Sequence, residues 1–155
     1  MKYLKPVLGL VTVLLVVAAV AAPLGPVPGF FIGGNAAAVP SRWPDTSNVD
    51  EIMLRVPSSP PRVVIIWVVD IDGELHVVGD PNSGWVRRIG DGSDVHMRLG
   101  ENTYALRATP VMEDWESILT AYVGKYQEDY PDIVAGFPSL ENAEGQFAIF
   151  RLDRP

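Results

Sequence analysis

The chain has 155 residues, no cysteine, and 19 acidic against 12 basic side chains. Without cysteine it forms neither disulfides nor thiolate metal sites. The formal net charge of −7 includes Lys2 and Lys5 near the N-terminus, so the remainder of the chain carries −9. A body this acidic argues against nucleic acid and anionic lipid headgroups as partners of a broad surface, because each requires a basic patch.

An uncharged segment precedes this acidic body, since residues 6–41 contain no charged side chain. Lys2 and Lys5 lie just ahead of an apolar run at residues 7–22. Positive charge on that side of an apolar run predicts a cytoplasmic N-terminus. The body is therefore expected outside the cytoplasm.

Two interpretations of this segment stay open. When the apolar run is extended through the uncharged residues up to 27, it is long enough to cross a membrane. Residues 1–27 are therefore one candidate for a single transmembrane anchor. The small residues Ala19, Val20 and Ala21 after the apolar core also match a secretory signal peptide. We predict a single-pass membrane protein with its C-terminal domain outside the cytoplasm, and a secreted or periplasmic protein as the alternative.

Two further regions follow in the sequence. The repeated prolines and glycines of residues 28–48 exclude a continuous helix or central strand, and we predict a linker there. The remaining residues 49–155 fit one domain of ordinary size.

Alternating or continuous apolar patterns predict six strands in this domain. The uninterrupted β-branched and aromatic run from Val63 to Val69 is typical of a strand buried on both faces. Residues 70–73 supply a hairpin turn, so this strand should pair antiparallel with the next one. The predicted strands are residues 49–56, 62–71, 74–78, 94–99, 103–111 and a closing strand within 145–153, with Val95, Met97 and Leu99 facing inward.

One helical stripe interrupts the strand patterns. Apolar residues recur at intervals of three and four over residues 113–126, which predicts one amphipathic helix packed through that stripe. Its Tyr122, Lys125 and Tyr126 are assigned to packing rather than catalysis. Residues 85–89 are too short for a helix, and we predict a half-turn on a loop. The predicted fold class is mainly β, a six-stranded antiparallel barrel with one amphipathic helix.

The order of these segments resembles the flavin-binding split-barrel superfamily. The resemblance rests on the strand with Trp67, the glycine turn after it, and three segments: residues 74–79 (Glu-Leu-His-Val-Val-Gly), 83–88 (Ser-Gly-Trp-Val-Arg-Arg) and 104–108 (Tyr-Ala-Leu-Arg-Ala). Over residues 30–153 the chain is similar to the pyridoxamine-phosphate oxidase-like proteins and the deazaflavin-dependent nitroreductases, and a membrane-anchored branch looks closest. The resemblance implies that the barrel is split.

The same resemblance implies a bound cofactor, FMN or deazaflavin (F420). Such a protein would act as an oxidoreductase on a small-molecule substrate, because the cofactor supplies the chemistry. Arg62, Arg87 and Arg88 would hold the cofactor phosphate, and Trp67 or Trp85 would stack on its ring. A homodimer is compatible with this function, and no catalytic acid or base is assigned.

A cofactor-free binding or structural module at the membrane is the alternative. The deazaflavin branch carries a basic Gly-Arg-Lys-Ser-Gly-Lys-like turn before the core strand, whereas residues 57–61 read Pro-Ser-Ser-Pro-Pro. Prolines remove the N–H donors that a phosphate needs. Trp85 could equally close the mouth of the barrel, with Arg87 and Arg88 paired to nearby carboxylates.

No metal site is predicted. His76 and His96 are expected on the polar sides of their strands, beside Glu74 and Asp94. This spacing is weakly specific, and exposed histidines on strands are common. The sequence also lacks the short motifs of serine hydrolases, nucleotide hydrolases, zinc proteases and dinucleotide-binding proteins.

Overall fold

One eight-stranded sheet forms the body of the protein. The computed structural model describes Pro23 and residues 27–155. Its strands are β1 (Asn35–Ala36), β2 (Glu51–Val56), β3 (Arg62–Trp67), β4 (Val69–Ile71), β5 (Glu74–Gly79), β6 (Ser93–Leu99), β7 (Asn102–Pro110) and β8 (Ala148–Asp153). The order is β3-β2-β6-β7-β8-β5-β4, with antiparallel neighbours throughout, and β1 adds to β7 in parallel.

The sheet curls because its two end strands are joined. β3 and β4 stand at opposite ends of the order, yet only Val68 separates them in the chain. β4 pairs with β5, whereas no ladder joins β3 to β5 among the described residues. The result is a curled antiparallel sheet with a split between β3 and β5, so the mainly β antiparallel prediction is confirmed.

The predicted count of six strands is wrong. The strand expected over residues 62–71 is divided at Val68, and residues 35–36 add a short strand through parallel pairing with Asn102 and Thr103. The predicted antiparallel pairing of this strand with the following one is present but covers only part of its length. Only its β4 part pairs in this way, whereas β3 pairs with β2 along all six of its residues.

The apolar side chains of the curled sheet form an interior cluster and an outer cluster. The predicted inward residues Val95, Met97 and Leu99 are 1%, 0% and 8% exposed, which confirms their orientation. The outer cluster covers the opposite face of β4, β5 and β8, and helix α2 (Trp115–Tyr126) packs on it. Ile118, Leu119, Tyr122 and Tyr126 are buried there, as the helical stripe predicted.

Two other helices were not expected. Residues 84–89 form a one-and-a-half-turn helix, α1 (Gly84–Ile89), instead of a half-turn on a loop. Trp85, Val86 and Ile89 on one side of α1 are buried in the interior cluster, and this tertiary packing favours a helix that the short sequence pattern did not indicate. After α2 come the short helix α3 (Pro131–Val134) and a 3₁₀ turn (Leu140–Asn142).

The arm at residues 28–48 lies against the sheet. Gly29 exchanges both backbone hydrogen bonds with Val63 on the free edge of β3. Trp43 is 5% exposed and meets Tyr104 edge to face at 5.1 Å in the interior cluster. Arg154 donates to the carbonyls of residues 40 and 41 and so fastens the C-terminus to the arm.

The N-terminal anchor or signal segment, residues 1–27, lies outside the described residues except for Pro23 and Val27. Among the residues that the structure does describe, none of the helices has the length and apolar character needed to cross a membrane.

The break between β3 and β4 is held by two side chains of α2. The Tyr126 hydroxyl accepts a hydrogen bond from Val68 N–H at 2.9 Å and lies 2.7 Å from the Val68 carbonyl and 2.6 Å from that of Asp50. The Lys125 ammonium donates to the carbonyls of Thr46, Val49 and Val68 at 3.0, 2.7 and 2.8 Å. Val68 is fully buried, so these bonds replace the strand pairing that its backbone lacks.

We expect Tyr126→Phe to lower the free energy of unfolding by about 1–3 kcal/mol, because it leaves the buried Val68 N–H without an acceptor. Tyr122→Phe is the matched control, since Tyr122 is buried on the same helix and its hydroxyl bonds to no described residue. Urea denaturation measures both variants. An equal loss of unfolding free energy in the two variants would show that the effect of removing the Tyr126 hydroxyl does not come from its hydrogen bond with Val68.

His76 is buried, which corrects the expectation that it lies on a polar face. It is 5% exposed, and its Nδ1 lies 3.1 Å from the Glu74 carbonyl oxygen. Burial lowers the pKa of His76, although the Glu74 backbone and the charges of Glu74 and Asp153 oppose this shift. On β5 the alternation fails because the outer face of this strand is covered as well as the inner face.

Acidification should therefore weaken the fold through His76. Its folded pKa lies below the unfolded value of about 6.5, so below that value the unfolded chain binds a proton that the folded one does not. Stability should be level above about pH 7 and fall as the pH drops through 6.5 towards the folded pKa. His76→Gln should flatten this fall in urea midpoints measured from pH 7.5 to 5.

His96 is the comparison for that measurement. Burial, and then the charge of Arg55, lower its pKa as well, but its side chain is more exposed than that of His76. His96→Gln should therefore remove the smaller share of the pH dependence. A profile unchanged by His76→Gln would contradict the assignment of the acid sensitivity to His76.

Candidate functional site: a groove in the split and an arginine pair

A groove of about 600 Å³ lies at the split in the barrel. Ile65, Ile66 and Trp67 of β3 form one wall, and Val78 and Gly79 of β5 form the other. The groove exists because these strands separate on leaving Val68, where the chain passes from β3 to β4. Its volume lies within the usual range of small-molecule sites, about 300–1,000 Å³.

Aromatic rings from outside the sheet complete the groove. Tyr122 of α2 lies on one side, and Phe137 and Phe147 come from the segment that follows α3. Phe137 stacks on Tyr122 with ring centroids 6.4 Å apart and meets Phe147 edge to face at 5.5 Å. These surfaces favour a flat apolar ligand.

Two carboxylates, Glu51 and Asp80, also line the groove. Asp80 accepts a hydrogen bond from Asn82 N–H at 2.7 Å and so begins the turn that leads into α1. Negative charge at these positions would repel an anionic group placed beside them. An anion would therefore be held elsewhere, and the turn after Asp80 leads to the arginines that could hold it.

Arg62 and Arg88 converge on Gly84. A Cβ atom built on Gly84 would lie 3.1 Å from Arg88 Nη1 and 3.4 Å from Arg62 Nη2. The absence of a side chain at Gly84 is thus what lets two guanidinium groups approach the same point. Arg88 is positioned by bonds to the Gly84 carbonyl at 2.6 Å and the Ser58 hydroxyl at 3.3 Å.

Neither arginine has a carboxylate partner among the described residues, where the ion pairs involve Arg107 and Arg151 only. The Nε of Arg62 and the hydroxyl of Ser83 are moreover buried without a hydrogen-bond partner in the described part of the chain. Buried donors are rarely left unpaired, because each loses its bonds to water. Two arginines therefore converge on Gly84, and the two orphaned polar atoms belong to one of these arginines and to the residue before Gly84, a set of donors that suits an anion.

The structure brings together only part of the site expected from the sequence. Arg62 and Arg88 meet at Gly84, whereas Arg87, which is exposed like Arg88, bonds to no described residue. Trp67 lies at the groove, but one face of its ring stacks on Tyr126 at 4.1 Å. The pairing of Arg87 and Arg88 with nearby carboxylates, the alternative offered by the sequence, is not found among the described ion pairs.

Trp85 is placed inside the barrel rather than on the groove surface. It is 8% exposed and packs near Phe150, with ring centroids 5.9 Å apart. A Cβ on Gly79 would lie only 2.2 Å from its ring, so Gly79 is the residue that makes room for it. Trp85 belongs to the interior cluster and does not line the groove, so we place the groove's ring contacts on Trp67 and the aromatic rings beside it.

Several site residues could not be found from the sequence. Ser83 and Gly84 are ordinary loop residues until α1 places them beside Arg62, which precedes them by about twenty positions. Phe137 lies in a stretch without helical or strand period, and Phe147 comes just before β8. Only the path of the chain after α3 brings both rings to β3.

The histidines do not meet. His76 is on β5 and His96 on β6, and two strands, β7 and β8, separate β5 from β6 in the sheet. Within the described residues, no three histidine, cysteine, aspartate or glutamate side chains are grouped so that they could hold a metal ion.

Comparisons with known proteins return no matching family profile and no matching curated protein. Among solved structures, HutZ, the heme storage protein of Vibrio cholerae, is 16% identical with a TM-score of 0.47, covering 68% of this chain and 82% of that one. A NimC/NimA family protein of Clostridium acetobutylicum is 15% identical with a TM-score of 0.45, over 66% and 73%. A protein of unknown function from Agrobacterium tumefaciens is 16% identical with a TM-score of 0.47, over 66% and 47%. Likeness at this level assigns this chain neither a family nor a function.

Proposed function

We propose that this protein binds a flat aromatic cofactor with a terminal phosphate, of the flavin or deazaflavin class (FMN or F420). The ring would lie in the groove between β3 and β5, and the phosphate would lie between Arg62 and Arg88. The observation that carries the proposal is that Arg62 Nε and Ser83 Oγ are buried without hydrogen-bond partners among the described residues. Arg62 and Arg88, which converge on Gly84, also lack carboxylate partners in that part of the chain.

The spacing of the two parts fits such a ligand. Ile65, in the wall of the groove, lies three residues along β3 from Arg62, a distance of about 10 Å in an extended strand. In a ligand whose ring is joined to a phosphate by a short polyol chain, the charged phosphate is separated from the apolar ring by about the same distance. The carboxylates of Glu51 and Asp80 disfavour the opposite orientation, with the phosphate inside the groove.

When bound, a cofactor of this class would supply hydride or electron transfer to a small substrate. The chain would contribute binding and orientation. Trp67 and Phe137 would contact the ring edge or face, and Arg62 and Arg88 would donate charge-assisted hydrogen bonds to the phosphate. The alternative, a split barrel that binds no cofactor, is an outcome of the experiment below.

Paired ligands test the proposal directly. The full chain, kept in non-ionic detergent, is titrated with FMN, F420 and riboflavin, which has the FMN ring and polyol but no phosphate. FMN should bind at least about tenfold more tightly than riboflavin, because the phosphate adds charge-assisted hydrogen bonds. Equal affinity for the two would refute a phosphate site, and no binding of any of the three would favour the cofactor-free alternative.

Arginine variants locate the phosphate. Arg62→Gln and Arg88→Gln should each weaken FMN binding about tenfold and leave riboflavin binding unchanged. Arg87→Gln is the matched control, because it removes the same charge from the neighbouring exposed residue, and it should change FMN affinity by less than about threefold. If Arg87→Gln has the same effect as Arg88→Gln, general electrostatic attraction rather than the Gly84 site binds the ligand.

We also propose that the protein acts outside the cytoplasm, tethered by residues 1–27. The support is the position of Lys2 and Lys5 ahead of the apolar run at residues 7–22. A reporter enzyme fused after Pro155 should be active only on the outer side of the membrane and should sediment with membranes. Release with a shortened N-terminus would establish cleavage instead, and a cytoplasmic reporter would contradict both forms of the proposal.

A further inference from the structure

A second cavity, of about 560 Å³, opens on the outer face of the sheet, beside the turn at residues 57–61. The outward positions of three neighbouring strands line it: Arg55 of β2, Asp94 and His96 of β6, and Arg107 of β7. Arg55 and His96 are directly opposite each other in the β2–β6 ladder. Cross-strand neighbours of this kind have Cβ atoms about 4.5–5.5 Å apart, so the two side chains share one space.

The cavity concentrates positive charge in an acidic protein. Arg55 bonds to no described residue, and Arg107 has one partner, Asp94, at 3.2 Å in an exposed pair. Exposed pairs of this kind contribute little, about 0–1 kcal/mol, so Arg107 can exchange partners readily. Two arginines and a histidine thus surround one carboxylate, in a chain where acids outnumber bases by 19 to 12.

One hydroxyl group completes the set of donors. Ser58 and Ser93 both line the cavity, but the Ser93 hydroxyl already donates to the Ile89 carbonyl at 2.9 Å. The Ser58 oxygen accepts from Arg88 Nε at 3.3 Å, which leaves its own hydrogen free to donate. Guanidinium, imidazolium and hydroxyl groups facing one space are the donors with which proteins bind phosphate and sulfate.

We propose that this cavity is a binding site for a tetrahedral oxyanion, either a free phosphate or sulfate or the phosphate of a small molecule. Arg55 and Arg107 bind the anion from two strands, and His96 binds it in its protonated form. The site is separate from the groove in the split, because Arg62, Trp67 and Gly84 do not line it. It stands whether or not the protein binds a flavin.

The structure explains why such a site would depend on pH. Burial and the charge of Arg55 lower the pKa of His96, while Asp94 opposes this effect. The charged groups that face His96 are Arg55 on β2, Asp94 on β6 and Arg107 on β7. An anion between them offsets the charge of the arginines, so binding should raise the pKa of His96 and should strengthen as the pH falls.

Sulfate is the probe of choice, because it remains a dianion from pH 5 to 8 whereas phosphate titrates. The chain has two histidines, and the ring proton resonances of each report its own pKa by NMR. With the full chain in non-ionic detergent at constant ionic strength, sulfate should raise the pKa of His96 and leave that of buried His76 unchanged. Equal shifts at both histidines, or none at His96, would overturn the proposal.

Matched variants identify the ligands. Arg55→Gln and Arg107→Gln should each weaken sulfate binding about tenfold, as expected when one charge-assisted contact is lost. His96→Gln should remove the pH dependence of binding. Arg42→Gln removes the same charge from an exposed residue outside the cavity and should have little effect. An equal loss with Arg42→Gln would show that net charge, not this cavity, attracts the anion.

Two further comparisons separate this site from other phosphate sources. Arg62→Gln, which tests the flavin proposal, should leave the sulfate response of His96 intact. Dihexanoyl phosphatidylglycerol, added as monomers, tests a lipid headgroup as the source of the oxyanion. A His96 response to that lipid but not to sulfate or inorganic phosphate would overturn a free oxyanion as the ligand.

Discussion

The contact on which the fold depends is the one between the end of α2 and the backbone of Val68. A buried peptide group with no strand partner destabilises a protein unless something else bonds to it. Tyr126 bonds to the N–H of Val68, and Lys125 bonds to the carbonyls of Val68, Thr46 and Val49. At Val68 the chain stops pairing with β2, as β3, and begins to pair with β5, as β4. This change of partner is possible because the docked helix bonds to the Val68 backbone.

The candidate site follows from that break. Once β3 and β5 separate beyond Val68, they expose apolar side chains to a gap that no ladder between described strands closes. The segment after α2 covers this gap with aromatic rings. Tyr126 also stacks on Trp67, so the residue that satisfies the break sets one wall of the groove. Helix docking, the split and the groove are therefore one structural feature, and a change at Tyr126 should affect all three.

Charge is distributed unevenly over this acidic protein. Arg62 and Arg88 lie on one side of the proline-rich turn at residues 57–61, and Arg55, His96 and Arg107 lie on the other. Ser58 links the two groups through its bond to Arg88. A net charge of −9 describes the average surface, whereas an anion responds to the local field, and arginines are grouped at both of these places.

The sequence alone determined the mainly β class, most strand positions, the helix with its buried stripe and the inward residues of β6. These properties depend on periods of two and 3.6 residues, which are local. It did not determine the break at Val68, the helix at residues 84–89, the burial of His76 and Trp85, or the grouping of Arg62 with Ser83, Gly84 and Arg88. Each of these depends on contacts between residues far apart in the chain: Val68 bonds to a tyrosine 58 positions away, and α1 is helical because its apolar side fills the barrel. A local pattern carries no information about such partners, so only the tertiary structure decided them.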